Sequence, residues 1–263
     1  MSIDPRFLPM PPAPLWLPYR SLDGLELRAR LWKGKRKRPA VTVVSPGFAQ
    51  HHGNRIHQRV AALILPHRDV LGVDYRGMDG QPGRYTFGAR EQRDLIPLLD
   101  WACRRYADVE LLGFSMGAII ALRALAEHRC RVRRLYFVSG PTRIEGIVAT
   151  LGPIRQPLYL LTHPRLWPAR SSAQSQVLFR WGWPFHPKPK GEDLAARLKT
   201  PVSFLVGGRD QLVLPRLSRR IHDAVAGNKQ WAEFPDGEHA EYLAVLQPEA
   251  FLAWMAAFRK ATR

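Results

Sequence analysis

Cysteine is scarce: Cys103 and Cys130 are the only two in 263 residues. Two thiols make no disulfide framework, and neither stands in a spacing typical of metal ligands. Both read as small buried or half-buried side chains. No run of 18 or more apolar residues occurs, so no membrane-spanning helix is expected. Met1-Ser2-Ile3-Asp4-Pro5-Arg6 lacks a charged segment leading into an apolar one, and Pro9, Pro11, Pro12, Pro14 and Pro18 follow. No secretory leader is read there, and a cytoplasmic protein is expected.

Acids are also few, 22 against 40 Lys and Arg, for a formal net charge of +18. A field of this size attracts polyanions, anionic lipid surfaces or acidic substrates. Part of the charge is clustered, in Lys33-Gly34-Lys35-Arg36-Lys37-Arg38 and again over 129–134. The simplest reading of such runs is a solvated loop; the second is a peripheral contact with an anionic membrane. No basic module interleaved with aromatics and no recognition helix is visible, so nucleic acid is not an expected partner.

What is present is a regular alternation of apolar runs. Residues 25–32, 40–44, 69–74, 109–114, 132–139 and 201–206 read as strands, and 231–234 as one more. Helical spacing fills 54–65, with Val60, Leu63 and Ile64 on one face, and 88–105, with Leu95, Leu98, Leu99, Trp101 and Ala102 inward. Strands that alternate with helices predict a mostly parallel sheet covered by helices on both faces, an α/β fold. A chain of this length fits one such domain with an insertion. Residues 1–24 read as a proline-rich arm lying on the body or frayed from it. Residues 25–141 and 200–263 read as the core, and 142–199 as a lid or cap inserted before a late strand. That insertion is rich in Pro and Trp and has no acid between Glu145 and Glu192.

Chemistry concentrates at strand ends. Gly113-Phe114-Ser115-Met116-Gly117 joins an apolar strand to the apolar helical stretch that follows. A serine on so sharp a turn has its hydroxyl lifted clear of the sheet, at the cost of a strained backbone. Downstream, Gly207-Gly208-Arg209-Asp210 ends another strand in an acid, and Pro235-Asp236-Gly237-Glu238-His239 follows the next with a histidine. All three positions fall past strand carboxyl ends, the edge where an open parallel sheet places its ligand crevice. Asp236 and Asp193 are the rival acids. His222, His163 and His186 compete poorly with His239. His51, His52 and His57 raise the question of metal, but no carboxylate or thiolate in a ligand spacing accompanies them.

With Asp74-Tyr75-Arg76-Gly77 added, these segments resemble the α/β-hydrolase superfamily, in its serine esterase, monoacylglycerol-lipase-like and serine-aminopeptidase-like group. The resemblance covers roughly 25–141 and 200–258. It implies Ser115 as nucleophile, His239 as general base and Asp210 as the acid that orients the imidazole. It implies no cofactor and no metal. It also implies an oxyanion hole made by the backbone N–H of Met116, at the start of the helix, and of Phe48. Where the family has His-Gly, this chain has Pro46-Gly47, so the bracing of that loop passes to another residue, with Gln50 and Asn54 the candidates. Asp74 and Arg76 read as structural braces.

The activity implied is hydrolysis of a carboxylic ester with an apolar, lipid-like acyl group, which the leucine and aromatic content of the insertion favours. A peptidase or amidase, an acyltransferase, and a non-catalytic membrane-surface binding protein are the alternatives. The acid-free insertion speaks against a pocket for a substrate amine, and fold alone does not choose a substrate.

Overall fold

A computed structural model describes residues 9–35, 38–48, 50–142 and 188–262. Its described residues form an eight-stranded sheet. The strands are β1 (Leu15–Arg20), β2 (Glu26–Trp32), β3 (Ala40–Ser45), β4 (Asp69–Gly72), β5 (Asp108–Phe114), β6 (Val132–Val138), β7 (Val202–Gly207) and β8 (Lys229–Phe234). Their order across the sheet is β1-β2-β4-β3-β5-β6-β7-β8. β1 and β2 run antiparallel to each other, β2 runs antiparallel to β4, and the remaining pairings are parallel. The fold is thus the mostly parallel α/β arrangement that the residue pattern predicts.

The strands read as unbroken apolar runs because both faces are covered. Val41, Val43, Leu111, Leu135, Phe137 and Phe204 point into one core. Helices α2 (Gln92–Arg105), α3 (Met116–Glu127), α4 (Gly191–Ala195) and α5 (Pro215–Ala224) pack there through residues such as Leu95, Ile120, Leu194 and Ile221. Val44, Leu112, Phe114, Tyr136, Val138 and Leu205 point into the other. That side is covered by α1 (Arg55–Ile64), α6 (Glu241–Leu246) and α7 (Pro248–Ala261), through Val60, Leu243 and Phe251 among others. Among the described residues, no helix is long and apolar enough to cross a membrane.

Two details differ from the pattern reading. Part of the proline-rich arm is β1, an edge strand that half-buries Leu17 and Tyr19 and exposes Trp16 and Pro18. Proline is tolerated there because an edge strand can do without one ladder donor. Helix α2 begins four residues later than the 88–105 spacing predicts. Phe87 and Gly88 both take positive φ, and the buried Glu91 carboxylate accepts the Gly88 N–H (2.7 Å) and the Thr86 hydroxyl (2.9 Å). That carboxylate organises a turn before the helix can start. The expected lid falls largely on 143–187, outside the described residues.

At the amino ends of the parallel strands, the buried Glu110 of β5 gathers three guanidinium groups. Arg134 lies at 2.7 Å, Arg259 at 2.8 Å and Arg68 at 3.1 Å. These contacts tie β5 to β6, to α7 and to the turn before β4, and they take Arg134 out of the basic surface run to which its sequence neighbours belong. Removing one partner from a buried charged cluster strands the others. Glu110→Leu should therefore lower unfolding free energy by about 3–5 kcal/mol, read from urea denaturation midpoints. A variant as stable as the parent would show the cluster to be dispensable.

Candidate active site

The serine turn is built by a close approach. Ser115 has φ 50° and ψ −120°, a conformation that L-residues rarely adopt and that costs of order 1–3 kcal/mol. It is held by its N–H bonding to Val138 O at 2.8 Å. Immediately after it, α3 passes against the end of β3. A Cβ on Gly117 would lie 2.3 Å from the carbonyl oxygens of both Ser45 and Pro46. Only glycine allows that contact, and Ser45 Oγ seals it by donating to Gly117 O at 2.9 Å while meeting Tyr75 Oη at 2.5 Å. Met116, the first residue of α3, has one of the helix-start N–H groups that no preceding turn can satisfy.

The acid and the histidine meet. Asp210 is buried past the end of β7, with Oδ1 accepting the N–H groups of Leu212 (3.0 Å) and Val213 (2.8 Å). Its Oδ2 is left to the imidazole, 2.8 Å from Nδ1 of His239 in the loop after β8. This arrangement fixes the ring and turns Nε2 the other way. The rival acids lie elsewhere: Asp236 is exposed and pairs with Arg209, and Asp193 sits on α4. His222 contacts Asp223 and the rings of Phe204 and Trp231. His163 and His186 lie outside the described residues.

The three neighbouring histidines have structural surroundings. His51 faces Asp79, His52 Nε2 meets Val44 O at 3.0 Å, and His57 Nε2 lies 3.3 Å from Glu241 Oε1. Among the described residues, no group of three or more His, Cys, Asp or Glu side chains is arranged to hold a metal ion. Asp74 and Arg76 act as the expected braces. Asp74 accepts the His52 N–H (2.6 Å) and faces Arg30 Nε (2.9 Å), while Arg76 bonds to Asp94 and Asp23.

The loop after β3 carries Gly47 and the half-buried Phe48. Phe48 stacks on Phe87 (5.4 Å between centroids) and leans on Tyr85 (5.9 Å), whose hydroxyl contacts Met116 Sδ at 2.7 Å. Gln50, one of the two expected braces, bonds the loop through its backbone N–H to Gly47 O at 3.2 Å, and a second brace comes from outside the expected pair. Asn54 Nδ2 donates to Gln50 Oε1 at 2.7 Å, whereas the Gly47 N–H bonds to Glu241 Oε1 at 3.0 Å. Glu241 is the residue that sequence reasoning missed. Its one local signal is a carboxylate inside the apolar stretch Ala240-Glu241-Tyr242-Leu243-Ala244-Val245, which is buried throughout. Burial pushes the Glu241 carboxyl up, but the His57 contact and the charges of His57 and His239 outweigh it and hold the group at about 2.

Comparison with known proteins bears on the family and the fold. Residues 41–254 match the alpha/beta hydrolase family. The chain is 24% identical over 230 residues to the pimeloyl-[acyl-carrier protein] methyl ester esterase of Chromobacterium violaceum, covering 76% of this chain and 87% of that protein. It is 22% identical over 262 residues to a 31.7 kDa Escherichia coli protein of the traX-finO intergenic region, covering 84% and 90%. Among solved structures, the Pyrococcus furiosus esterase Pf2001 superposes with a TM-score of 0.75 at 18% identity, covering 98% of this chain and 94% of that one. At that identity, the likeness speaks for the fold.

Two outcomes follow from the packing and the charge. Gly117→Ala should destabilise by at least the roughly 1–3 kcal/mol typical of overpacking, because its collision is with backbone; unchanged thermal unfolding would contradict this. Glu241 has a depressed folded-state pKa, so its contribution to stability is present above the ordinary value of 4.5 and lost as pH falls through about 2. Over that window the parent should lose stability more steeply than Glu241→Gln, measured by denaturant unfolding at each pH. Parallel pH curves would remove the assignment.

Proposed function

The chain belongs to the alpha/beta hydrolase family, and from that footing we propose that it is a serine hydrolase of carboxylic esters with an apolar acyl group, acting through an acyl-enzyme on Ser115. The observation that carries this reading is the 2.8 Å contact of His239 Nδ1 with Asp210, whose second oxygen is already taken by two backbone donors. An imidazole so held presents Nε2 as a base and keeps its other nitrogen bonded as positive charge develops.

In the proposed sequence, Ser115 Oγ bonds to the ester carbonyl carbon as its proton passes to His239 Nε2. The carbonyl oxygen becomes an anion and is met by the N–H groups of Phe48 and Met116. The intermediate then collapses. The bond to the alcohol breaks, and His239 returns the proton to that leaving group. Water repeats the cycle on the acyl-serine and releases the acid. No cofactor is needed.

The acyl preference is supported by the half-buried, apolar Phe48 in the loop after β3, and by the leucine and aromatic content of residues 142–199. The Chromobacterium violaceum relative, a methyl ester esterase by name, is in keeping with an ester substrate.

A fluorophosphonate probe should label Ser115, and Ser115→Ala should abolish both labelling and ester turnover. Asp210→Asn should lower kcat by about 10⁴-fold. Across p-nitrophenyl esters from acetate upward, kcat/KM should rise about fourfold per methylene until the pocket is filled, the equivalent of ~0.8 kcal/mol per buried CH₂. An optimum at acetate would overturn the apolar acyl preference, and absence of labelling would overturn the hydrolase reading itself.

A further inference from the structure

We infer that Glu241 is a positioning residue that clamps the loop after β3, so that the Phe48 N–H faces the developing oxyanion. The inference rests on the ester-hydrolase reading above and extends it to a residue outside the Ser115, His239 and Asp210 set.

The loop begins with Pro46, which has neither an N–H nor a polar side chain, and continues with Gly47, the residue with the broadest backbone freedom. Left alone, such a pair would not hold the next peptide in one orientation. Two bonds fix it. Gln50 N–H donates to Gly47 O at 3.2 Å. That carbonyl and the Phe48 N–H belong to one planar trans peptide and point in opposite directions, so this bond aims the Phe48 N–H away from Gln50. On the other side, Gly47 N–H donates to Glu241 Oε1 at 3.0 Å and fixes the preceding peptide. With both planes held, Gly47 has no freedom left.

The position of the carboxylate is itself tightly defined. A Cβ on Gly47 would lie 2.9 Å from Glu241 Oε1 and 3.4 Å from Ser115 Cβ. The clamp therefore sits beside the nucleophile turn. Glu241 is two residues beyond His239, and Ala240 between them has φ 46°, a turn that sets both side chains at the site. His57 on α1 lies 3.3 Å from Oε1, off the line of a good hydrogen bond, and packs edge-on against His52 at 4.9 Å. One carboxylate thus ties the loop after β3, helix α1 and the histidine loop together. Its partners are groups of the site itself, the Gly47 N–H and the His57 ring.

The test combines kinetics with backbone amide resonances of the full chain. Glu241→Leu fills similar space but cannot accept a hydrogen bond. It should lower kcat by about 10- to 100-fold, less than the loss typical when an oxyanion donor is removed outright, with KM changed by under about threefold. Glu241→Gln keeps an acceptor for Gly47 N–H and should recover kcat to within about fivefold of the parent. The Gly47 amide proton should move upfield in Glu241→Gln, and the Gly47 and Phe48 amides should exchange faster in Glu241→Leu. A Leu variant with parental kcat, or a Gln variant as impaired as the Leu variant, would overturn the inference. Should Glu241→Leu fail to fold, an unshifted Gly47 resonance in Glu241→Gln overturns it equally. If the parent is neither labelled nor active on esters, the hydrolase reading fails separately, and the Gly47 resonance still decides whether the clamp exists.

Discussion

Everything at this site depends on how closely helix α3 approaches the end of strand β3. Gly117 lets the first turn of α3 rest against the carbonyls of Ser45 and Pro46, and that contact forces the left-handed conformation on Ser115. The same contact sets where the loop after β3 begins, because Pro46 is one of the two residues touched. The serine turn and the loop after β3 are therefore two products of one packing event. The strain at Ser115 is borne by a sheet packed on both faces, which is why so unfavourable a residue can persist.

Much of this was legible in the order of residues. The parallel strands announce themselves as continuous apolar runs because two cores, one on each side, absorb alternate side chains. Asp210 and His239 each follow a strand, which sets both at the carboxyl edge of the sheet, and the structure brings them to 2.8 Å. Asp236 follows a strand too, and only its exposure and its pairing with Arg209 set it apart. Glu241 was not legible in the same way. Its partner, Gly47, is 194 residues distant, and no local pattern encodes a bond of that span. Gln50 and Asn54, which looked better placed by proximity, bond to each other through their side chains, and Gln50 reaches the loop only through its backbone N–H. Likewise, β1 was obscured by prolines that only an edge strand accommodates, and the start of α2 by a turn that Glu91 organises from its far side.

The positive charge also looks different once burial is known. Arg30, Arg68, Arg76 and Arg134 are buried and matched with acids. Among the described residues, the acids so enclosed, including Asp74, Asp94, Glu110, Asp210 and Glu241, outnumber the enclosed arginines. The described interior therefore consumes negative charge faster than positive, and the solvent-facing shell of the described residues is more basic than their overall balance implies. A shell of that sign draws anions toward the molecule at long range, more weakly as salt rises.

The bond between Gly47 and Glu241 spans 194 residues. During synthesis, strands β3 to β6 and the serine turn emerge before residue 241, so the loop after β3 is without this bond until α6 docks. On the proposed reading, a chain at that stage holds its serine without a completed anion-binding pocket. On that reading, completion of the site waits on residue 241, 194 residues after the glycine that it holds.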